Sequence, residues 1–193
     1  DESFMGGLPL IRLEGLTKRY QDVVALDGLD LRVGTGKFFT LLGPNGAGKT
    51  TTLKILAGLL RPTAGRVEIA GEDWSRPSVA AKRKVTYIPD FPYLYDKLTA
   101  REFLSFIGDV YGISGLVLEQ SISHWLETME ILPEENKLIE RFSHGQRQRL
   151  VFAAAFLPAP ALIVVDEPMV GLDPRMRQKI SRRRRRNISL SGP

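Results

Sequence analysis

Three short stretches of this 193-residue sequence combine residue types and spacings that could do chemistry. In the first, Gly43-Pro44-Asn45-Gly46-Ala47-Gly48-Lys49-Thr50 satisfies the G-x-x-x-x-G-K-[ST] pattern. Its glycines let the backbone turn back on itself so that successive N–H groups face phosphate oxygens, and a helix starting here adds its positive end. Lys49 would reach the β- and γ-phosphates as a point charge, and the Thr50 hydroxyl would ligate Mg²⁺. The second stretch is the apolar run Ala161–Val165, ending in Asp166 and Glu167. It reads as an inner parallel strand delivering carboxylates to the ligand edge of a sheet. Asp166 would hold Mg²⁺, directly or through water, and Glu167 would orient and deprotonate an attacking water as general base. In the third, Ser143 with Gln146 three residues on forms a capping box, so a second helix N-terminus able to face an anion is expected there. Each stretch also has a plainer reading: a glycine turn, acids capping a turn before Pro168, and simple capping.

The elements that must position these residues follow from periodicity. Strands are expected at Leu10–Leu16, Val24–Val33 and Lys37–Leu42, the middle one alternating at Leu29, Leu31 and Val33, with further strands at Arg66–Ala70 and Val85–Ile88. A helix should run over Lys49–Leu59. From Thr99 the period becomes helical: Thr99 and Glu102 form a capping box, and Phe103, Phe106, Ile107 and Val110 fall on one stripe. A second helix carries Leu118, Ile122, Trp125, Leu126 and Met129. The run at 150–165 is 16 residues long and broken by Pro158 and Pro160. A spanning helix needs about 20 apolar residues, so the expectation is a buried helix ending before Pro158, a buried strand, and a soluble chain.

Composition narrows the chemistry further. The sequence is 43% hydrophobic and 25% charged, enough to bury a core in one ordinary domain. It contains no cysteine, which excludes disulfides, thiolate zinc sites and a cysteine nucleophile. The two histidines, His124 and His144, leave little for imidazole chemistry. The net charge of +5 belongs to the end of the chain, where residues 175–193 hold eight basic groups and no acidic one. The other 19 of the 27 basic groups face all 22 acidic ones, so the body is mildly acidic and no nucleic-acid partner is expected. The opening DESFMGGLPL is acidic and has no apolar run, so it does not read as a secretory signal, and a start at Asp1 suggests a trimmed product or fragment.

Phe142-Ser143-His144-Gly145-Gln146-Arg147-Gln148-Arg149-Leu150 resembles the LSGGQ-type signature of the ATP-binding-cassette (ABC) ATPases. Gly43–Thr50 is similar to that family's Walker A motif, Leu162–Glu167 to its Walker B motif and Gly171-Leu172-Asp173-Pro174 to its D-loop. The motifs stand in the family's order from Tyr20 to Pro174. The resemblance implies ATP and Mg²⁺ as ligands, with the nucleotide held by Gly43 to Thr50 and Thr51 and by Tyr20, 23 residues before Gly43, stacking on adenine. Asp90 stands where the family usually has glutamine or glutamate; a metal contact and relay to a membrane partner are implied for it. Ser143, His144, Gly145 and Gln146 would meet the γ-phosphate held by a second ATPase subunit. His144 replaces the first glycine of the usual pair, leaving close backbone approach to Gly145. Phe91, Tyr93 and Tyr95 read either as a packed loop or as a docking surface for the permease.

The family's histidine on a strand after the D-loop has no counterpart, since both histidines precede Asp166. By analogy with oxyanion donors, its loss would cost ~10²–10³ in rate, and a missing strand would leave a sheet edge open. A helix beginning at Arg175–Ile180 and a disordered Arg-rich tail at 181–193 are expected. The basic tail reads as a patch for nucleic acid or an acidic membrane, or as an out-of-frame or artificial end.

The expected fold is therefore α/β, a P-loop NTPase of the ABC ATPase type: a mixed-sheet core with N-terminal antiparallel strands at 8–93 and 158–180, and an inserted helical signature lobe at 94–157. The resemblance implies an ATP-hydrolysing subunit, cytoplasmic and held at the membrane through separate transmembrane permease subunits, paired with a second ABC ATPase subunit. The short Asp90 loop and the FSHGQ form resemble export-type systems. The alternatives are a catalytically impaired ATP-binding module and a soluble ABC ATPase of translation or DNA repair, for which the usual second cassette or coiled-coil insert is not found.

Overall fold

The computed structural model of the chain describes residues 9–166. Glu167, the D-loop match Gly171–Pro174, the expected helix at Arg175–Ile180 and the Arg-rich tail lie outside the described residues. The described residues fall into two compact units, divided between Val85 and Thr86.

The first unit is built on an antiparallel sheet with strand order β2-β1-β3-β4, comprising β1 (Ile11–Tyr20), β2 (Val23–Val33), β3 (Ala64–Ile69) and β4 (Glu72–Asp73). Ile11 and Leu13 alternate onto the buried face of β1, but so does Leu16. That change of parity needs an extra residue, and the ladder to β2 indeed shifts register between Leu13 and Leu16. The helix α1 (Lys49–Leu56) buries Ile55 and Leu56, and the buried Trp74 donates its indole N–H to the Ile55 carbonyl at 3.1 Å. The short α2 (Val79–Lys82) is capped by Ser78.

One expected strand is corrected. Residues 37–42 form no strand, and Phe38, Phe39 and Leu42 are exposed. The run has strand-like composition, but composition makes a strand only where a ladder partner exists, and none pairs with it among the described residues. Other bounds move modestly: β1 extends on to Tyr20, and α1 stops at Leu56 rather than Leu59.

In the second unit, β5 (Val85–Ile88) pairs in parallel with β6 (Leu162–Val165). Helices α3 (Ala100–Tyr111), α4 (Gly115–Thr128) and α5 (His144–Phe156) share one apolar core with Ile88, in which Leu104, Ile122, Leu126 and Leu150 are fully buried. The stripe expected on α3 is rotated: Phe103 and Leu104 are buried, while Phe106 and Val110 are exposed. Leu104 and Gly108 therefore face the core in their place, Gly108 allowing Leu118 of α4 to approach. Both expected capping boxes form, Thr99 with Glu102 on α3 and Ser143 with Gln146 on α5. The α5 helix ends before Pro158, as its apolar run predicts, and Trp125 stacks on its Phe156 at 4.8 Å. No helix among the described residues is long and apolar enough to cross a membrane.

Candidate functional site

In the first unit, the loop 43–48 leads into α1 through Gly48, whose φ of +78° lies in the left-handed region. A Cβ on Gly48 would sit 2.5 Å from the Ala25 carbonyl oxygen and 2.5 Å from Leu26 Cδ2, so the loop is pressed against β2. The N-cap residue of α1, Gly48, has no side chain to offer the helix a capping hydrogen bond. Thr52, buried on the first turn, returns its hydroxyl to the Gly48 carbonyl at 3.0 Å and ties the loop to the helix. The Lys49 ammonium donates to the Gly43 carbonyl at 2.6 Å and to the Pro44 carbonyl at 2.7 Å. It is thus folded over the loop's own mouth, where an incoming phosphate would compete for it. Pro44, Asn45, Gly46 and Ala47 lie exposed on the rim, with Thr50 exposed and Thr51 half-buried on the helix.

Tyr20 ends β1, pairs with Val23 across the hairpin, and is 44% exposed. Its ring is therefore available to a planar ligand. Lys18 lies 5.1 Å from the ring centroid and is anchored by donating to the Arg61 carbonyl at 2.8 Å. That cation on the ring was not visible in the sequence as more than a nearby charge.

In the second unit, Asp166 follows the last residue of β6. Its N–H donates to the Ile88 carbonyl at 2.9 Å, and it is 6% exposed. The Tyr87 hydroxyl donates to Asp166 Oδ2 at 3.1 Å. Burial first, then this hydrogen bond and the charges of Asp166 and Asp90, push the Tyr87 phenol up to about 12, so it is a neutral donor at physiological pH. Asp90 lies two residues beyond β5, half-buried. Glu167 is outside the described residues.

Ser143, His144 and Gly145 are exposed at the start of α5. Ser143 Oγ accepts from the Gln146 N–H at 3.3 Å, Gln146 Oε1 accepts from the Ser143 N–H at 2.9 Å, and Gln146 Nε2 donates to Glu134 at 3.1 Å. A Cβ on Gly145 would meet nothing within 4 Å, so no packing inside this chain calls for glycine there. The loop before α3 is tied to this helix by an Arg147–Asp96 ion pair of 2.8 Å, and to the short turn Ile139–Arg141 ahead of it by the Glu140 N–H donating to the Asp96 carbonyl at 3.1 Å. Within that loop, Tyr95 packs edge-on to Phe106 at 5.4 Å, while Phe91 and Tyr93 stay about four-fifths exposed.

The family model for the ABC transporter matches residues 26–170, three-quarters of the sequence, and the chain belongs to this family of ATP-binding domains. The chain is 38% identical over 170 residues to the daunorubicin resistance ATP-binding protein DrrA3 of Streptomyces coeruleorubidus, a match covering 88% of this chain and 54% of that protein. It spans about half the length of the curated relatives it matches. Among solved structures it is similar to an ATP-binding subunit of an ABC transporter, at 30% identity and a TM-score of 0.80, over 92% of this chain and 75% of that one. It is also similar to an ATP-binding cassette in a dimeric post-hydrolysis state bound to ADP and Pi, at 28% identity and a TM-score of 0.73, over 88% of this chain and 79% of that one. The fold is that of an ABC ATPase cassette, mixed α/β with an antiparallel sheet and a separate parallel one.

The residues fit the ligands this family takes. The loop 43–48 and Lys49 offer N–H groups and an ammonium to phosphates. Among the described residues no group of three or more His, Cys, Asp or Glu side chains could hold a metal by itself. The nearly buried Asp166 offers a hard carboxylate oxygen donor of the kind Mg²⁺ takes, one or two at a time together with waters and substrate phosphates.

Proposed function

We propose that this chain binds ATP with Mg²⁺ and hydrolyses it as the ATPase subunit of an ABC transporter, driving transport through separate permease chains. The observation that carries the reading is the loop before α1: a left-handed Gly48, no side-chain cap, and Lys49 parked on the carbonyls of Gly43 and Pro44. In this reading residues 43–51 hold the triphosphate and Tyr20 stacks on the base. Thr50, Asp90 and Asp166 are the residues that would serve Mg²⁺, which when bound would neutralise charge on the phosphate oxygens. Glu167 removes a proton from the attacking water.

Ser143 to Gln146 serve the nucleotide of a second ATPase subunit, a pairing supported by the dimeric cassette among the structural relatives. The helical lobe at 94–157 carries that closure to the permease, with exposed Phe91 and Tyr93 in the contact. The drug-resistance name of the relative DrrA3 favours export of a small molecule. The site of action is then the cytoplasmic face of the membrane.

A second reading rests on one observation: the two histidines of these 193 residues stand on helices, His124 in α4 and His144 at the start of α5, and neither is on a strand beside Asp166. The chain would then bind ATP without turning it over. Steady-state Mg-ATPase activity of this chain beside a Glu167→Gln variant separates the two. General-base removal is expected to lower turnover by ~10²–10⁴. Equal activity in both, with ATP still bound, would refute hydrolysis and leave the binding module.

A further inference from the structure

Tyr87 belongs to none of the motifs that place this chain in its family, yet its hydroxyl donates to the nearly buried carboxylate of Asp166 across the β5–β6 pair, 79 residues away in sequence. A carboxylate so enclosed needs donors to replace water. One such donor here is the neutral Tyr87 phenol on a strand, which orients the carboxylate without itself bringing a positive charge to compete with a cation. The backbone is fixed on the same side, because the Asp166 N–H is held by the Ile88 carbonyl one residue beyond Tyr87. Side chain and main chain of Asp166 are therefore both referenced to β5. This is the arrangement by which outer groups aim carboxylates that ligate metals.

We propose that Tyr87 is a positioning residue for Mg²⁺: its hydroxyl, bonded to Asp166 Oδ2, holds the Asp166 carboxylate in the orientation the ion requires. The proposal rests on the assignment of Asp166 to the metal under Proposed function. Tyr87→Phe removes the hydroxyl donor and keeps the ring.

The experiment uses the full chain loaded with ATP and reads Mn²⁺ affinity by the electron paramagnetic resonance of free Mn²⁺, alongside ATP affinity in EDTA. Wild type, Tyr87→Phe, Asp166→Asn and the double variant are compared. Tyr87→Phe is expected to weaken Mn²⁺ binding about 10-fold while leaving metal-free ATP affinity unchanged. In the double variant it should weaken binding no further than Asp166→Asn alone. Mn²⁺ affinity within twofold of wild type in Tyr87→Phe overturns the proposal. So does an equal loss of metal-free ATP affinity, or a full additive loss in the double variant. Unchanged Mn²⁺ affinity in Asp166→Asn overturns the metal assignment itself and the proposal with it.

Discussion

Gly46 and Gly48 offer a test of the phosphate loop in which two substitutions share one penalty and differ in another. Both residues sit in the left-handed region, with φ of +83° and +78°. Replacing either by alanine forces an L side chain into that region, at about 1–2 kcal/mol. A Cβ at Gly46 meets nothing within 4 Å, whereas at Gly48 it would lie 2.5 Å from the Ala25 carbonyl oxygen and 2.5 Å from Leu26 Cδ2. The carbonyl belongs to β2, whose ladder to β1 holds it in place, so α1 or the strand must move. Overpacking of this kind costs about 1–3 kcal/mol more. At about 2–4 °C per kcal/mol for a chain of this size, Gly48→Ala should melt roughly 2–12 °C below Gly46→Ala. Circular dichroism gives the melting temperatures, and equilibrium ATP binding gives the functional counterpart. Affinity should fall further in Gly48→Ala, because displacing α1 moves the N–H groups that face the phosphates. Equal melting temperatures for the two variants would refute the claim that the loop is braced against β2.

Leu150, fully buried on α5 within the second unit's core, should cost about 2–5 kcal/mol on truncation to alanine, read as a lower urea midpoint at unchanged m. Tyr87 gives a pH dependence: its phenol is held up to about 12, above its unfolded value near 10, so the folded state keeps the proton longer. Its contribution is fully present below pH 10 and lost as pH rises through 10 towards 12. Denaturant midpoints measured across that window should fall more steeply in wild type than in Tyr87→Phe; parallel curves would refute the assignment.

What the sequence made legible was local. The capping boxes Thr99–Glu102 and Ser143–Gln146 join residues three apart, and the phosphate loop is one contiguous stretch, so residue type at fixed spacing is nearly the whole of the physics. The misses are non-local. The strand-like run 37–42 satisfies propensity, but a strand is a pairing, and no single sequence states which ladder will accept it. The α3 stripe was misplaced because Phe103, Phe106, Ile107 and Val110 fit the period as well as the set that is buried. The choice was made by Leu118 of α4 approaching over Gly108. The Tyr87–Asp166 bond needed β5 and β6 side by side. The bulge in β1 left the one overlooked signal: Ile11, Leu13 and Leu16 cannot share a face without it.

The two helix starts at the heart of the proposed function, Gly48–Lys49 and Ser143–His144, solve the same problem in opposite ways. Gly48 supplies α1 with no capping side chain of its own. On α5, Ser143 and Gln146 satisfy each other, so a phosphate meeting that helix cannot rely on N–H groups already engaged. The serine hydroxyl resolves the conflict, since it accepts from the Gln146 N–H through its oxygen while its own proton remains a donor. Capping and ligand binding are then separable. Ser143→Asp keeps an N-cap as good as serine, so the melting temperature should stay within about 2 °C, a few tenths of a kcal/mol. The aspartate has no proton to donate and adds a negative charge facing the γ-phosphate. ATP-driven dimerisation of a Glu167→Gln background, followed by size exclusion with light scattering, should therefore be lost in Ser143→Asp. It should fall only in proportion to lost stability in Ser143→Ala if capping is all the serine does. Dimerisation of the Ser143→Asp variant at wild-type ATP concentrations would show that the hydroxyl proton has no ligand, and that Ser143 is a cap and nothing more.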